Sequence, residues 1–531
     1  MVRLARILLL TGCVMVASNL FATTYYIDYN SGSDGNNGTA KTSAWQHAPG
    51  MTGCVSNCAA DVPKPGDSFI LRGGVTWPNA ALGWDWIWSG SSSTAPQGCT
   101  GTGCIYIGVD QTWYTGSAWA RPILNAGGTA VATTAAGSNV MFRCYCNYVQ
   151  VDNIEFTGLY WTGNPNYGSG VNFALPGGSP GIGVHVEVEH IYIHGWSHNT
   201  YTNGTSEHTC ALLGDTGVPN NNANTWFHDS VISGADTAQN SCTAVFGAPP
   251  YISNNVFEYV TSCMIVNGAS AIHDNICQNV VPSFDPTAHL NGLENNASYN
   301  IAIYNNVFRH MGSGALTIWS APDQGYTSYI FNNVVYDTDV GNILDLAAPV
   351  ANNGCVQGSS YCLHGGTEIV FNNSIECGPD SNPNAVCVAG INSAVAAVTL
   401  QNNHFVTNAG SYWNTNGVTP TLVNNVLQPK TTANGQGYTA VQNYAFSPTQ
   451  PYSQDATPGQ GLSATALCTA SGAPGSVCTN DSSYGVSYNT SNHTVSWPGR
   501  TSNTWNSPPD VGGYSFVSGM QPPTNLTAVV H

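Results

Sequence analysis

Charged residues make up 7% of the 531-residue chain and leave a formal net charge of -18. Lys and Arg number ten in all, two of them Arg3 and Arg6, which argues against nucleic-acid binding by counterion release and disfavours a strongly anionic polysaccharide. The surface has to be built mostly from Asn, Ser, Thr, Gly and aromatic residues, and 14 Trp and 26 Tyr suit stacking on neutral sugar rings as well as core packing.

Residues 1–22 place Arg3 and Arg6 before an apolar run and then small residues, the pattern of a bacterial secretion signal with cleavage after Ala22. Leu10-Thr11-Gly12-Cys13 also reads as a lipoprotein box, although the apolar run continues past Cys13. No other run approaches the length of a membrane span, so a secreted or cell-surface monomer is expected. The 16 further cysteines fit an oxidising compartment. Five pairs are close enough to staple single loops: Cys54/Cys58, Cys99/Cys104, Cys355/Cys362, Cys377/Cys387 and Cys468/Cys478. Spacing does not pair Cys144, Cys146, Cys210, Cys242, Cys263 and Cys277.

Residues 23–140 read as an N-terminal cap and first coils, with turns around Gly32-Asp34-Asn37-Gly38 and Pro65-Gly66-Asp67. Asp28 and Asp34 are a candidate calcium pair. From 141 to 430 one phrase of strand, polar pair and strand keeps returning: ISNNVFEY at 252–259, IHDNICQN at 272–279, IYNNVFRH at 303–310, IFNNVVYD at 330–337, VFNNSIEC at 370–377, LQNNHFVT at 400–407 and LVNNVLQP at 422–429. Weaker copies are QVDNIEFT at 150–157, EVEHIYIH at 187–194 and WFHDSVIS at 226–233, which put residues 153, 190 and 229 at the second polar position and make His190 a structural residue there. Between consecutive copies that position advances by between 20 residues (255 to 275) and 40 residues (333 to 373), the mark of a solenoid with a fixed corner and loops of variable length. Asn tolerates the left-handed conformation, and its amide both donates and accepts, so stacked coils predict a ladder through Asn255, Asn275, Asn306, Asn333, Asn373, Asn403 and Asn425.

On these residues the chain resembles the right-handed parallel β-helix of the pectate-lyase-like superfamily, which implies three-strand coils with an Asn-lined turn. Residues 431–520 read as C-terminal coils or cap, and 521–531 as a linker-like tail. The resemblance implies a groove along the first strand of each coil, the apolar segment upstream of each Asn phrase, near 289–295, 314–319 and 342–347.

Titratable residues gather there. Asp285, His289, Glu294, Arg309, His310, Asp323 and Asp345 are the candidate catalytic residues, with Asn291, Asn295, Thr317 and Trp319 as substrate contacts. Alternation of Leu316/Ile318 and Leu344/Leu346 gives Thr317 and Asp345 equivalent outward positions, whereas His289 and Glu294, five apart, fall on opposite faces of a regular strand. Carboxylates one or two coils apart approach glycosidase spacings. A second cluster holds His185, Glu187, Glu189, His190, His194, His198 and His208 with Asp215, His228, Asp229 and Asp236; Glu187 and Glu189 share a strand face and could ligate a metal. A glycoside hydrolase acting on a neutral or weakly acidic polysaccharide heads the functional readings. A lyase built on Arg309 with His289 or His310 is the second, and a non-catalytic glycan-binding or adhesion protein is the third.

Overall fold

Each coil starts from a short alternating strand whose inward residue is Val, Ile or Phe, and burial of that residue sets the architecture. The computed structural model describes residues 22–435, apart from segments of which the longest are 132–139, 162–170, 199–207, 215–223, 281–289 and 347–364, together with a hairpin at 487–496. One coil shows the plan. Tyr251–Ser253 runs into the corner at Asn254 and Asn255, Val256–Glu258 leaves it, Ser262–Asn267 forms the third side, and Ala271–His273 opens the next coil beside Tyr251–Ser253. Stacking these sides gives three parallel sheets: a 13-stranded sheet of strands entering the corner (the entering sheet), a 12-stranded sheet leaving it (the leaving sheet) and an 11-stranded third sheet. This is the expected parallel β-helix, and it begins at Thr24–Ile27, which pairs in parallel with Ser68–Gly73.

The corner has two jobs and gives them to adjacent residues. Asn254, Asp274, Asn305, Asn332, Asn372, Asn402 and Asn424 take φ between 50° and 59°, the left-handed turn that Asn and Asp bear most cheaply. The residue after each points inward and builds the ladder. Asn255 Nδ2 donates to Asn275 Oδ1 at 3.0 Å, and the pattern continues through Asn306, Asn333, Asn373 and Asn403 to Asn425 at 2.9–3.0 Å. The same Oδ1 atoms accept backbone N–H groups, as Asn306 does from Asn275 at 3.0 Å.

In the earliest coils strand register corrects the sequence alignment by one residue. Asp152, Glu189, His228 and Ser253 align, so Asn153, His190 and Asp229 are the left-handed residues, with φ of 59°, 51° and 50°, and the ladder position falls to Ile154, Ile191 and Ser230. His190 is therefore outside the ladder. The ladder ends where the Ser230 N–H donates to Asn255 Oδ1 at 3.0 Å.

One continuous core runs from Ile27 to Phe405, and Trp45, Trp77, Trp84, Trp86, Trp161 and Trp196 fill its early coils. Disulfides close Cys54–Cys58, Cys99–Cys104 and Cys377–Cys387 as read from sequence, and also Cys144–Cys146, Cys210–Cys242 and Cys263–Cys277. Cys13, Cys355/Cys362 and Cys468/Cys478 lie outside the described residues. Asp28 and Asp34 each have their own partners. Asp28 accepts from Arg72 Nη1 at 2.7 Å and the Asn30 N–H at 3.0 Å, and Asp34 faces the His47 ring at 2.8 Å and the backbone of Gln46 and His47. Among the described residues no helix is long and apolar enough to cross a membrane.

Candidate acid-histidine site on the entering sheet

Three adjacent strands of the entering sheet, Val149–Asp152, Glu187–Glu189 and Trp226–His228, bury Val151, Val188 and Phe227 and turn their flanking residues outward. Parallel register makes two rows: Tyr106, Gln150, Glu187, Trp226 and Tyr251, and beside it Asp152, Glu189, His228 and Ser253. Like charges one rung apart, about 4.8 Å, repel unless something intervenes. Here histidine intervenes. His190 Nδ1 lies 2.9 Å from Asp152 Oδ1 and 3.4 Å from Glu189 Oε2. His228 is held on both nitrogens, by Asp229 at 2.6 Å and Glu187 at 3.0 Å.

The remaining bonds orient the carboxylates. Tyr106 donates its hydroxyl proton to Asp152 Oδ2 at 2.7 Å while its oxygen accepts the Val109 N–H, and Asn153 Nδ2 donates to Asp152 Oδ1 at 2.7 Å. Gln150 Nε2 donates to Glu189 Oε1 at 2.5 Å. Glu187 is roofed by the Cys99–Cys104 loop, whose Cys99 N–H donates to Glu187 Oε2 at 2.7 Å. Gly98 is required there, because a Cβ would come within 2.6 Å of that oxygen. The open side of the cluster consists of Asp152, Glu189 and the half-exposed His190.

Two neighbouring carboxylates are driven in opposite directions. Burial opposes ionisation of Asp152, but hydrogen bonds from His190, Tyr106 and Asn153 outweigh it and hold Asp152 below the usual carboxylate range. Burial, reinforced by the charge of Asp152, pushes Glu189 up, and His228 and His190 only partly offset it. Burial works against protonation of both histidines, yet their carboxylate partners win: His190 is raised, and His228 is pushed up to about 9. Donor atoms of Asp152, Glu189 and His190, and of Glu187, Glu189 and His228, lie within 4.8 Å of one another. Their carboxylate partners favour a proton on each histidine, and a metal bound at either triad would have to displace that proton.

The row expected on the third sheet is present in part. Glu294, Thr317 and Asp345 are register partners on consecutive coils, as the alternation required of Thr317 and Asp345. Glu294 is buried and accepts from Asn291 Nδ2 at 3.1 Å. Asn295 does not face a groove. It aligns with the core residue Val266 in the inward row and is 1% exposed. Arg309 and His310 do not join the row either, because Val307–Met311 belongs to the leaving sheet. There Arg309 Nε donates to Gln278 at 2.6 Å and Nη1 to the Tyr336 hydroxyl at 3.3 Å, and His310 pairs with Asp337 at 2.7 Å. Asp285, His289, Trp319 and Asp323 lie outside the described residues.

From the second sequence cluster the fold unites Glu187, Glu189, His190, His228 and Asp229, while His185 stands beside it, on Gly98 and Asn224. His194 belongs to another group, clamped by Asp236 at 2.7 Å and Glu155 at 3.1 Å. Asp215 lies outside the described residues, as do the side chains of His198 and His208. Sequence reasoning missed Asp152, Gln150 and Tyr106. The available signal was the period-two string Gln150-Val151-Asp152, which matches Glu187-Val188-Glu189 one coil later.

No family model matches the chain, and no curated protein matches it. Among solved structures it is similar to a GH136 lacto-N-biosidase from Eubacterium ramulus, at 12% identity over 76% of this chain and 68% of that one, with a TM-score of 0.40. It is also similar to a mannuronic acid specific polysaccharide family 6 lyase from human gut microbiota, at 10% identity over 72% and 86% with a TM-score of 0.41. A third similarity is to pectate lyase Pel9A, at 12% identity over 93% and 96% with a TM-score of 0.35.

Proposed function

We propose that the protein is a secreted carbohydrate-active enzyme that hydrolyses a neutral or weakly acidic polysaccharide with retention of configuration, Asp152 acting as nucleophile and Glu189 as acid and then base. One observation carries this reading: carboxylates on adjacent rungs, with oxygens within 4.8 Å, whose ionisation is pushed apart in opposite directions. Retaining glycosidases keep their two carboxyl groups about 5–5.5 Å apart, and opposed pKa shifts assign the roles of acid and anion. In the first step the Glu189 proton passes to the leaving glycosidic oxygen while Asp152 bonds to the anomeric carbon. In the second, Glu189 takes a proton from water as that water displaces Asp152. Tyr106 and His190 fix the nucleophile, and Trp226 and Tyr251, partly exposed in the next row, offer ring faces to a sugar. The disulfides and the signal-like first 22 residues support secretion.

A second reading rests on the third sheet. Glu294 and Asp345 stand two rungs apart, roughly 9.6 Å along the row, near the spacing of inverting enzymes. The test is reducing-end release from a panel of neutral and uronate polysaccharides, with and without EDTA, followed by the anomeric configuration of the first product. Retention abolished by Glu189→Gln supports the entering-sheet site, and inversion abolished by Glu294→Gln moves the chemistry to the third sheet. An unsaturated uronate product establishes a lyase, and glycan pull-down without cleavage establishes a binding protein.

A further inference from the structure

The hairpin formed by Ser487–Asn489 and Thr494–Ser496 pairs antiparallel and joins none of the three sheets. It lies on the outer face of the leaving sheet. Val495 is buried with Tyr192, Val231 and Val256, and Tyr488 packs beside them with Ile276. Arg121, 6% exposed, ties it down: Nη1 donates to the Asn492 carbonyl at 2.9 Å and Nη2 to the His493 carbonyl at 3.2 Å, while Nε donates to the His190 carbonyl at 3.0 Å. The Tyr488 hydroxyl donates to Glu258 at 3.0 Å, so its oxygen is left to accept a proton from His493 Nδ1 at 3.1 Å. The neutral ring with its proton on Nδ1 already makes that bond, and protonation would strengthen it, so the bond by itself does not oppose the charge.

Two cations, Arg121 and His194, lie near His493 beyond its aromatic contacts. Its ring stacks on Tyr192 at 4.0 Å, and the other face of Tyr192 stacks on His194 at 4.1 Å, leaving the two imidazoles 6.5 Å apart. His194 is held protonated: burial opposes its charge, but Asp236 and Glu155 push it up to about 9. His493 therefore faces Arg121 and His194 as positive groups, Glu155 and Glu258 as negative ones, and Tyr192 and Tyr488 as neutral ones, and the nearby acids are already engaged by His194, Tyr488 and Gln278.

We propose that the 487–496 hairpin is an acid-released strap, docked while His493 is neutral and freed when His493 gains a proton against Arg121 and the His194 imidazolium. The direction of titration agrees. Burial, His194 and Arg121 together outweigh Glu258 and Glu155 and hold docked His493 below its ordinary value. A group with a depressed docked pKa binds its proton more readily when released, so docking is fully favoured above the free imidazole value of about 6.5 and weakens as pH falls through it. The strap also reaches the candidate site, since Arg121 grips the His190 carbonyl beside the Asp152–Glu189 pair; only this consequence rests on the proposed function.

Hydrogen exchange of the hairpin amides in the full chain, corrected for intrinsic rate and followed from below to above pH 6.5, tests the strap without any substrate. Opening is expected to rise about tenfold for each unit by which docked His493 lies below the free value. His493→Asn, which suits the positive φ of 51° at that position, should flatten the response. Tyr488→Phe should keep it, and Val495→Asp should leave the hairpin exposed at every pH. Equal protection across the range, or an unchanged response in His493→Asn, would overturn the proposal. Activity that fails to appear while the exchange response holds would count against the proposed function alone.

Discussion

The same left-handed corner is built twice in this molecule with different chemistry. From Asn255 onward the inward line is amide on amide, a neutral ladder of seven Asn that needs no counter-charge, and the left-handed position beside it is Asn in every coil but one, where Asp274 pairs with His273. Between Asn153 and Asp229 the ladder line carries Ile154, Ile191 and Ser230, and the polar residues lie on the outer side of the sheet, where Asp152, Glu189 and the buried His228 interact with His190 and Asp229. The amide ladder is satisfied at any pH. The acid-histidine corner depends on where its protons sit, so stability and chemistry should separate between the two regions.

The largest expected effect is catalytic. Glu189→Gln and Asp152→Asn should each lower kcat by about a hundred- to ten-thousand-fold, the range for losing a positioned acid or nucleophile, and Asp152→Asn should also lower the melting temperature because it removes the charge that His190, Tyr106 and Asn153 hold. Next comes alkaline loss of stability confined to the early coils. His228 is raised from 6.5 to about 9 by Asp229 and Glu187 against burial. Its contribution, on the order of 3 kcal/mol, is therefore fully present below pH 6.5 and lost as pH rises through about 9. Hydrogen exchange should show strands near 187–189 and 226–228 opening at high pH before those near 330 and 370; uniform opening would erase the distinction.

Smaller effects probe the amide corner. Asn306→Ala removes donors to Ile272 and Asn333 and the acceptor used by Asn275, and should cost about 2–3 kcal/mol by denaturant unfolding, equally at neutral and alkaline pH. Asn332→Gly, at φ 53°, keeps the turn but removes the acceptor of Asn372 Nδ2 at 2.6 Å and should cost about 1–2 kcal/mol, whereas Asn332→Val loses that bond and strains the turn as well and should cost about 1 kcal/mol more.

The amide corner was legible in the sequence because its logic is local: an apolar alternation, one residue able to turn left-handed and one amide able to stack. The early corner was misread by one residue for a local reason too. Asp152, Glu189 and His228 are polar strand residues immediately before the turn, so the polar pair in the sequence precedes the pair that the backbone uses. The same shift hid the site, because one residue of register moves a side chain to the opposite face. Rows across coils depend on how many residues each loop consumes, which is why Thr317 and Asp345 were placed together correctly from alternation alone. Arg309, on a different sheet, was grouped with Glu294 only because it is near in sequence.

The most direct test of the account is the anomeric configuration of the first product, read by NMR on the best substrate of the panel and repeated with Glu189→Gln and Glu294→Gln. Retention that survives Glu294→Gln and disappears with Glu189→Gln is the predicted result. Inversion, or full activity in Glu189→Gln, would contradict it.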